Sequence, residues 1–180
     1  NSNTYFGPRT LIDKYNLPNN LCESAYKSLG VINAGGKSEV SEAFSMDYVN
    51  RMFGGSNFIF EKEVQYIWDG CSIVDYLCDV NNTQVSVSVT RAMYLETLEK
   101  QEYLMEKKLN GLARANNCLL NPSPFGLLHV WCETQEMSAS LIDSINILID
   151  EQRINISGLN TTVLFTVCPN QCIYSNIMTF

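Results

Sequence analysis

No run of about 18 apolar residues occurs in this 180-residue chain, so the sequence predicts no membrane-spanning helix. Charge is sparse at 17%, and basic charge is the scarcer kind, with 12 Lys and Arg against 19 Asp and Glu. The net charge of −7 argues against a broad nucleic-acid-binding surface and leaves room only for a small basic cleft. A Gly-x-Ser-x-Gly elbow, a Gly-rich dinucleotide fingerprint, a phosphate loop with Gly-Lys-Ser/Thr and an EF-hand loop are all missing. His129 is the single histidine, and Cys168 and Cys172 are the one close cysteine pair, at a spacing unusual for zinc. No local signature marks a cysteine nucleophile for His129, which reads best as a core histidine with a backbone partner.

What is present is globular. Hydrophobic residues make up 46%, and the length suits one domain with a sizeable core. The seven cysteines are odd in number, and several, such as Cys132, sit inside apolar runs. That is the usage of buried thiols in a reducing compartment, so the cell interior, cytoplasm or nucleus, is expected. Sequons at Asn81, Asn155 and Asn160 offer a secreted glycoprotein as the competing reading. A chain this rich in Asn, Ser and Thr holds about three by chance. The chain begins at Asn1, so no targeting signal is read from it.

Residues 1–37 are expected to form an N-terminal helical extension, with short helices at 11–15 and 21–29 and a loop at 34–37. Residues 38–180 are expected to form a single α/β domain. A helix over 38–53 ends at Gly54-Gly55. Three strands follow at 58–68, 72–80 and 84–90, with Asp69-Gly70 as a hairpin signal and Asn81-Asn82 as the next turn. A long helix over 93–115 carries Leu95, Leu98, Met105, Leu109 and Leu112 on one stripe. The apolar run 125–132 reads as a central strand, 138–149 as an amphipathic helix, 162–167 as a strand and 172–178 as a short edge strand or tail. The sum is a mixed sheet of about five strands, an antiparallel meander and then helical crossovers, with helices on both faces.

Helix, three strands, helix, strand is also the order of the PD-(D/E)XK, restriction-endonuclease-like superfamily, which this chain resembles in that respect. The resemblance implies an Asp on the second strand and a Glu-x-Lys on the third, holding Mg²⁺ and orienting a water. Asp75 falls where that Asp would stand. The third strand offers Ser86-Val87-Ser88-Val89-Thr90-Arg91 in place of Glu-x-Lys. A hydroxyl does not replace a carboxylate on Mg²⁺, and Arg does not deprotonate like Lys. The candidate catalytic residues are therefore Asp75, Arg91 and Lys108, and the candidate metal ligands Asp75, Glu42 and Glu63. Glu61 and Glu63 are expected on one strand face, and Glu102, inside the apolar stripe, is expected either on a helix that is only partly buried or paired in the core with Arg91 or Lys108.

A second resemblance spans residues 60 to 178. The stretches Ile73-Val74-Asp75-Tyr76, Val87-Ser88-Val89-Thr90-Arg91-Ala92-Met93, Lys107-Lys108-Leu109-Asn110-Gly111-Leu112 and Leu128-His129-Val130-Trp131 carry it. They look like a family of protist and fungal proteins, some labelled AAC-rich mRNA clone proteins, for which no activity is assigned. The resemblance puts Asp75, Arg91, Lys107, Lys108, His129 and Trp131 in one recurring pattern. The function expected is a nuclease-like fold with a degenerate site that binds a protein or nucleic acid. The alternatives are an active Mg²⁺-dependent nuclease with a migrated site, and a structural module with no active site.

Overall fold

A computed structural model describes residues 8–30, 38–154 and 159–178. The loop expected at 34–37 and the sequon at Asn155 lie outside them. One mixed sheet carries six strands: β1 (Arg9–Lys14), β2 (Ser56–Phe60), β3 (Tyr76–Val80), β4 (Thr83–Arg91), β5 (Phe125–Cys132) and β6 (Asn160–Val167). Their order is β1-β6-β5-β4-β3-β2. The meander β2-β3-β4 is antiparallel, and β4, β5, β6 and β1 are parallel. Among the described residues five α-helices flank it: α1 (Glu23–Ser28), α2 (Glu39–Phe53), α3 (Leu98–Cys118), α4 (Gln135–Asp150) and α5 (Gln171–Ser175). Among the described residues no helix is long and apolar enough to cross a membrane.

Strand β5 sits centrally, and its alternation builds both cores. Leu128, Val130 and Cys132 face α3 and α4, where they meet Met105, Leu109, Leu141 and Ile145. Leu127 and Trp131 face the other layer, with Val49, Tyr48 and Phe44 of α2. The β3–β4 hairpin turns on Asn81 and Asn82, whose φ values of 50° and 59° are the pair a tight type I′ turn needs. Asparagine tolerates this left-handed region better than other side chains.

The structure departs from the sequence reading in several places. Residues 9–14 form β1, where a helix at 11–15 is predicted. Strand β6 exposes a free edge, and Arg9–Lys14 pairs along it in parallel, from Arg9 opposite Thr162 to Lys14 opposite Val167. This pairing raises the strand count to six and puts part of the predicted helical extension inside the sheet. The predicted strand 58–68 stops at Phe60, because Glu61–Glu63 turns as a 3₁₀ helix and Phe60 N–H donates to the Glu63 carboxylate. Glu61 and Glu63 therefore share no strand face. Tyr66 then bridges to Leu119 at the end of α3. Asp69-Gly70 makes a turn inside the long connection between the paired strands β2 and β3, with Gly70 at φ +90°, and is not the tight hairpin predicted. Helix α5 stands where an edge strand or tail is predicted, with the Asn170 side chain accepting from Cys172 N–H. Helices α3 and α4 begin at Leu98 and Gln135, five residues later and three earlier than predicted, behind the N-caps Thr97 and Thr134.

Replacing Asn82 with glycine should raise stability by about 0.5–1 kcal/mol, because glycine adopts the left-handed region without a Cβ penalty. A denaturant midpoint shifted upward with an unchanged slope is the expected reading.

Candidate functional site

Strand β3 starts at Tyr76, whereas its partner β4 continues to Arg91. The last ladder pair at that end is Tyr76 with Val87, so the backbone of Val89 extends past its neighbour. Unpaired strand backbone is costly when half-buried. Asp75 finishes this edge. Its own N–H donates to Val87 O at 2.9 Å. Its Oδ2 accepts Val89 N–H at 2.5 Å and the Ser88 hydroxyl at 3.1 Å. Lys108, reaching over from α3, donates from Nζ to Val89 O at 3.4 Å. The Asp75 carboxyl is pushed above its ordinary range by burial, while the Lys108 charge and the two donors pull the other way. Asp75 and Lys108 therefore do come together, around one stretch of backbone.

The other candidates lie elsewhere. Arg91 projects from the opposite face of β4 and donates to the carbonyls of Tyr174 at 3.1 Å and Ile173 at 3.4 Å, holding the end of α5. Glu42 is buried within α2, where it accepts the Ser38 hydroxyl at 2.5 Å. Glu63 is exposed in the 3₁₀ turn, bound to Phe60 N–H at 3.1 Å. The three carboxylates thus sit on three elements with separate partners. Among the described residues no group of three or more His, Cys, Asp or Glu could hold a metal ion. The donor set does not fit Mg²⁺. Glu102 pairs with Arg153 at 2.6 Å, not with Arg91 or Lys108. Lys107 rests 5.9 Å over the Tyr103 ring.

His129 is fully buried, on the α2 side of β5. Its partners are side chains and not the backbone that the sequence suggests. Nδ1 lies 2.8 Å from the Ser45 hydroxyl and Nε2 lies 2.8 Å from the Thr166 hydroxyl. Ser45 also meets the Tyr76 hydroxyl at 2.9 Å. One neutral tautomer satisfies this whole chain. Burial drives the imidazole pKa down to about 3. A Ser–His contact exists here, but it is sealed from solvent and faces Thr166 in place of an acid, so it has neither substrate access nor a triad geometry. The His129 ring stacks at 4.4 Å on Trp131, whose indole N–H donates to Ser41 O. The sequence reading missed Ser45, Tyr76 and Thr166 as its partners. Ser45 shares its helix with Ser41, Glu42 and Asp47, so no local signal set it apart.

No protein-family profile matches this chain, and no solved structure matches it. A curated relative from Dictyostelium discoideum, the AAC-rich mRNA clone AAC4 protein, is 30% identical over 122 residues. The match covers 62% of this chain and 18% of the relative, so the chain spans under a fifth of that protein's length. The likeness to AAC-rich mRNA clone proteins thus holds at the level of this relative, whose name states no activity. Nothing in these comparisons supports the restriction-endonuclease-like resemblance.

Removing the carboxylate by Asp75→Ala leaves Val89 N–H without its acceptor and should cost about 1–3 kcal/mol in chemical denaturation. His129 binds a proton more readily unfolded than folded, so acid favours unfolding. Stability should fall by roughly 1.4 kcal/mol per pH unit as pH drops from 6.5 towards 3, and His129→Gln should flatten that slope.

Proposed function

We propose that this chain acts as a protein-interaction module, on a scaffold whose nuclease-like order of elements carries a degenerate site. The observation that carries this reading is the engagement of Asp75. Its Oδ2 caps the overhanging backbone of β4, and Lys108 completes the same edge. The residues that the metal mechanism needs are used to finish a sheet. The strand where a Glu-x-Lys would stand offers Ser86-Val87-Ser88-Val89-Thr90-Arg91, in which Ser88 bonds to Asp75 and Arg91 to α5. The net charge of −7 favours a protein over a nucleic acid as partner. We place the chain inside the cell, supported by the odd number of cysteines and by the burial of Cys78, Cys132, Cys168 and Cys172. Asn81 and Asn160 are exposed, so the cysteines and not the sequons favour this placement.

Titrating Mg²⁺ or Mn²⁺ into the protein by calorimetry should give no saturable heat, and plasmid DNA and RNA should remain uncut. A saturable signal lost in Asp75→Asn, with the circular dichroism spectrum retained, would establish the metal-dependent nuclease instead.

A further inference from the structure

The carboxyl ends of β4 and β5 open into a groove of about 490 Å³. Parallel sheets bind their ligands at this end of the strands. Met93, Tyr94, Met137 and Tyr174 line the groove, with Glu96 and Glu133 beside them. Tyr94 is 77% exposed and sits at φ +57°, a region that a bulky side chain rarely adopts. A strained, outward-facing aromatic costs stability and leaves apolar surface in water. Such strain persists where the surroundings impose it, most often at binding sites. Leu98, 48% exposed, extends the apolar surface along the start of α3.

Charge decides what fits. Helices α3 and α4 both begin at this end, and two helix N-termini ordinarily favour an anion. Here the same four-residue pattern opens both helices: Glu96-Thr97-Leu98-Glu99 and Glu133-Thr134-Gln135-Glu136. Thr97 and Thr134 cap the helices through their side-chain oxygens. Each start also carries two glutamates, and Lys100 pairs with one of the four, Glu96. The positive helix ends are therefore already compensated, and the mouth keeps surplus negative charge. A phosphate-bearing ligand is repelled, and an apolar segment flanked by basic side chains is attracted.

We infer that this groove docks a basic, amphipathic segment of a partner protein, its apolar face against Tyr94 and the two methionines and its Lys or Arg side chains against Glu96 and Glu133. This rests on the interaction-module reading and names its surface. Methionine side chains adapt to varied apolar surfaces, which suits such a groove.

The test uses a fluorescein-labelled 16-residue peptide with Leu at helical spacing on one face and Lys on the other, and a companion with Glu in place of Lys. Fluorescence anisotropy at about 0.15 M salt, where long-range attraction is screened, should show binding of the Lys peptide and none of the Glu peptide. Glu96→Lys with Glu133→Lys should weaken binding at least tenfold. The control, Glu23→Lys with Asp69→Lys, changes the same charge elsewhere and should leave it within twofold. Tyr94→Asn should weaken binding tenfold while Tm holds or rises, because asparagine relieves the left-handed strain. Hydrogen exchange should show protection confined to 92–98, 133–137 and 171–175. Equal loss in the control pair, protection elsewhere, undiminished binding in Tyr94→Asn, or protection of the same groove by a single-stranded RNA would overturn the inference. Metal-dependent cleavage alongside intact peptide binding would instead overturn the preceding reading and leave the groove standing.

Discussion

Helix α2 is buried all round from Val40 to Val49, although Ser41, Glu42, Ser45 and Asp47 lie in that stretch. The arrangement of this layer depends on satisfying those polar groups, since each would be costly in a dry interface. Ser45 does so by joining Tyr76 of β3, His129 of β5 and, through His129, Thr166 of β6. Asp47 accepts from the Tyr15 hydroxyl, Cys22 N–H and Arg51. Tyr48 reaches across to Asp13 of β1. Apolar packing alone would tolerate several rotations of α2 over the sheet. These directional bonds select one, and they tie the N-terminal segment and three strands to the same helix.

On the other face, α3 and α4 cover the parallel strands with an ordinary apolar core. The distinctive feature there is at the edge. Because β4 outruns β3, its backbone needs partners that no strand supplies, and side chains from Asp75 and Lys108 provide them. An acid and a lysine drawn together in this way resemble catalytic machinery when seen as a list of residues. In this structure their bonds terminate a sheet without leaving its groups unpaired.

The two crossover connections place the start of α3 and the start of α4 side by side at one end of the sheet. Their shared opening pattern gives that end its character, acidic at the rim and apolar within. The groove thus lies where the parallel strands end, away from the Asp75 edge and from the sealed His129 network.

Patterns of short range were legible in the sequence. The Asn81-Asn82 turn, the apolar run of β5, the Met105, Leu109 and Leu112 part of the α3 stripe and the glycine stop of α2 each depend on a few neighbouring residues, and each stands in the structure, whereas Leu95 precedes α3 and Leu98 is exposed. Asp75 and Lys108 were also legible as a pair of interest, though not as an edge cap. The rest was decided by residues distant along the chain. Arg9–Lys14 becomes a strand because β6, some 150 residues later, presents a free edge. Ser45 and His129 lie 84 residues apart. Glu102 finds Arg153 across 51 residues. Local propensity carries no information about such partners, because a hydrogen bond or ion pair forms only where the tertiary fold brings donor and acceptor together.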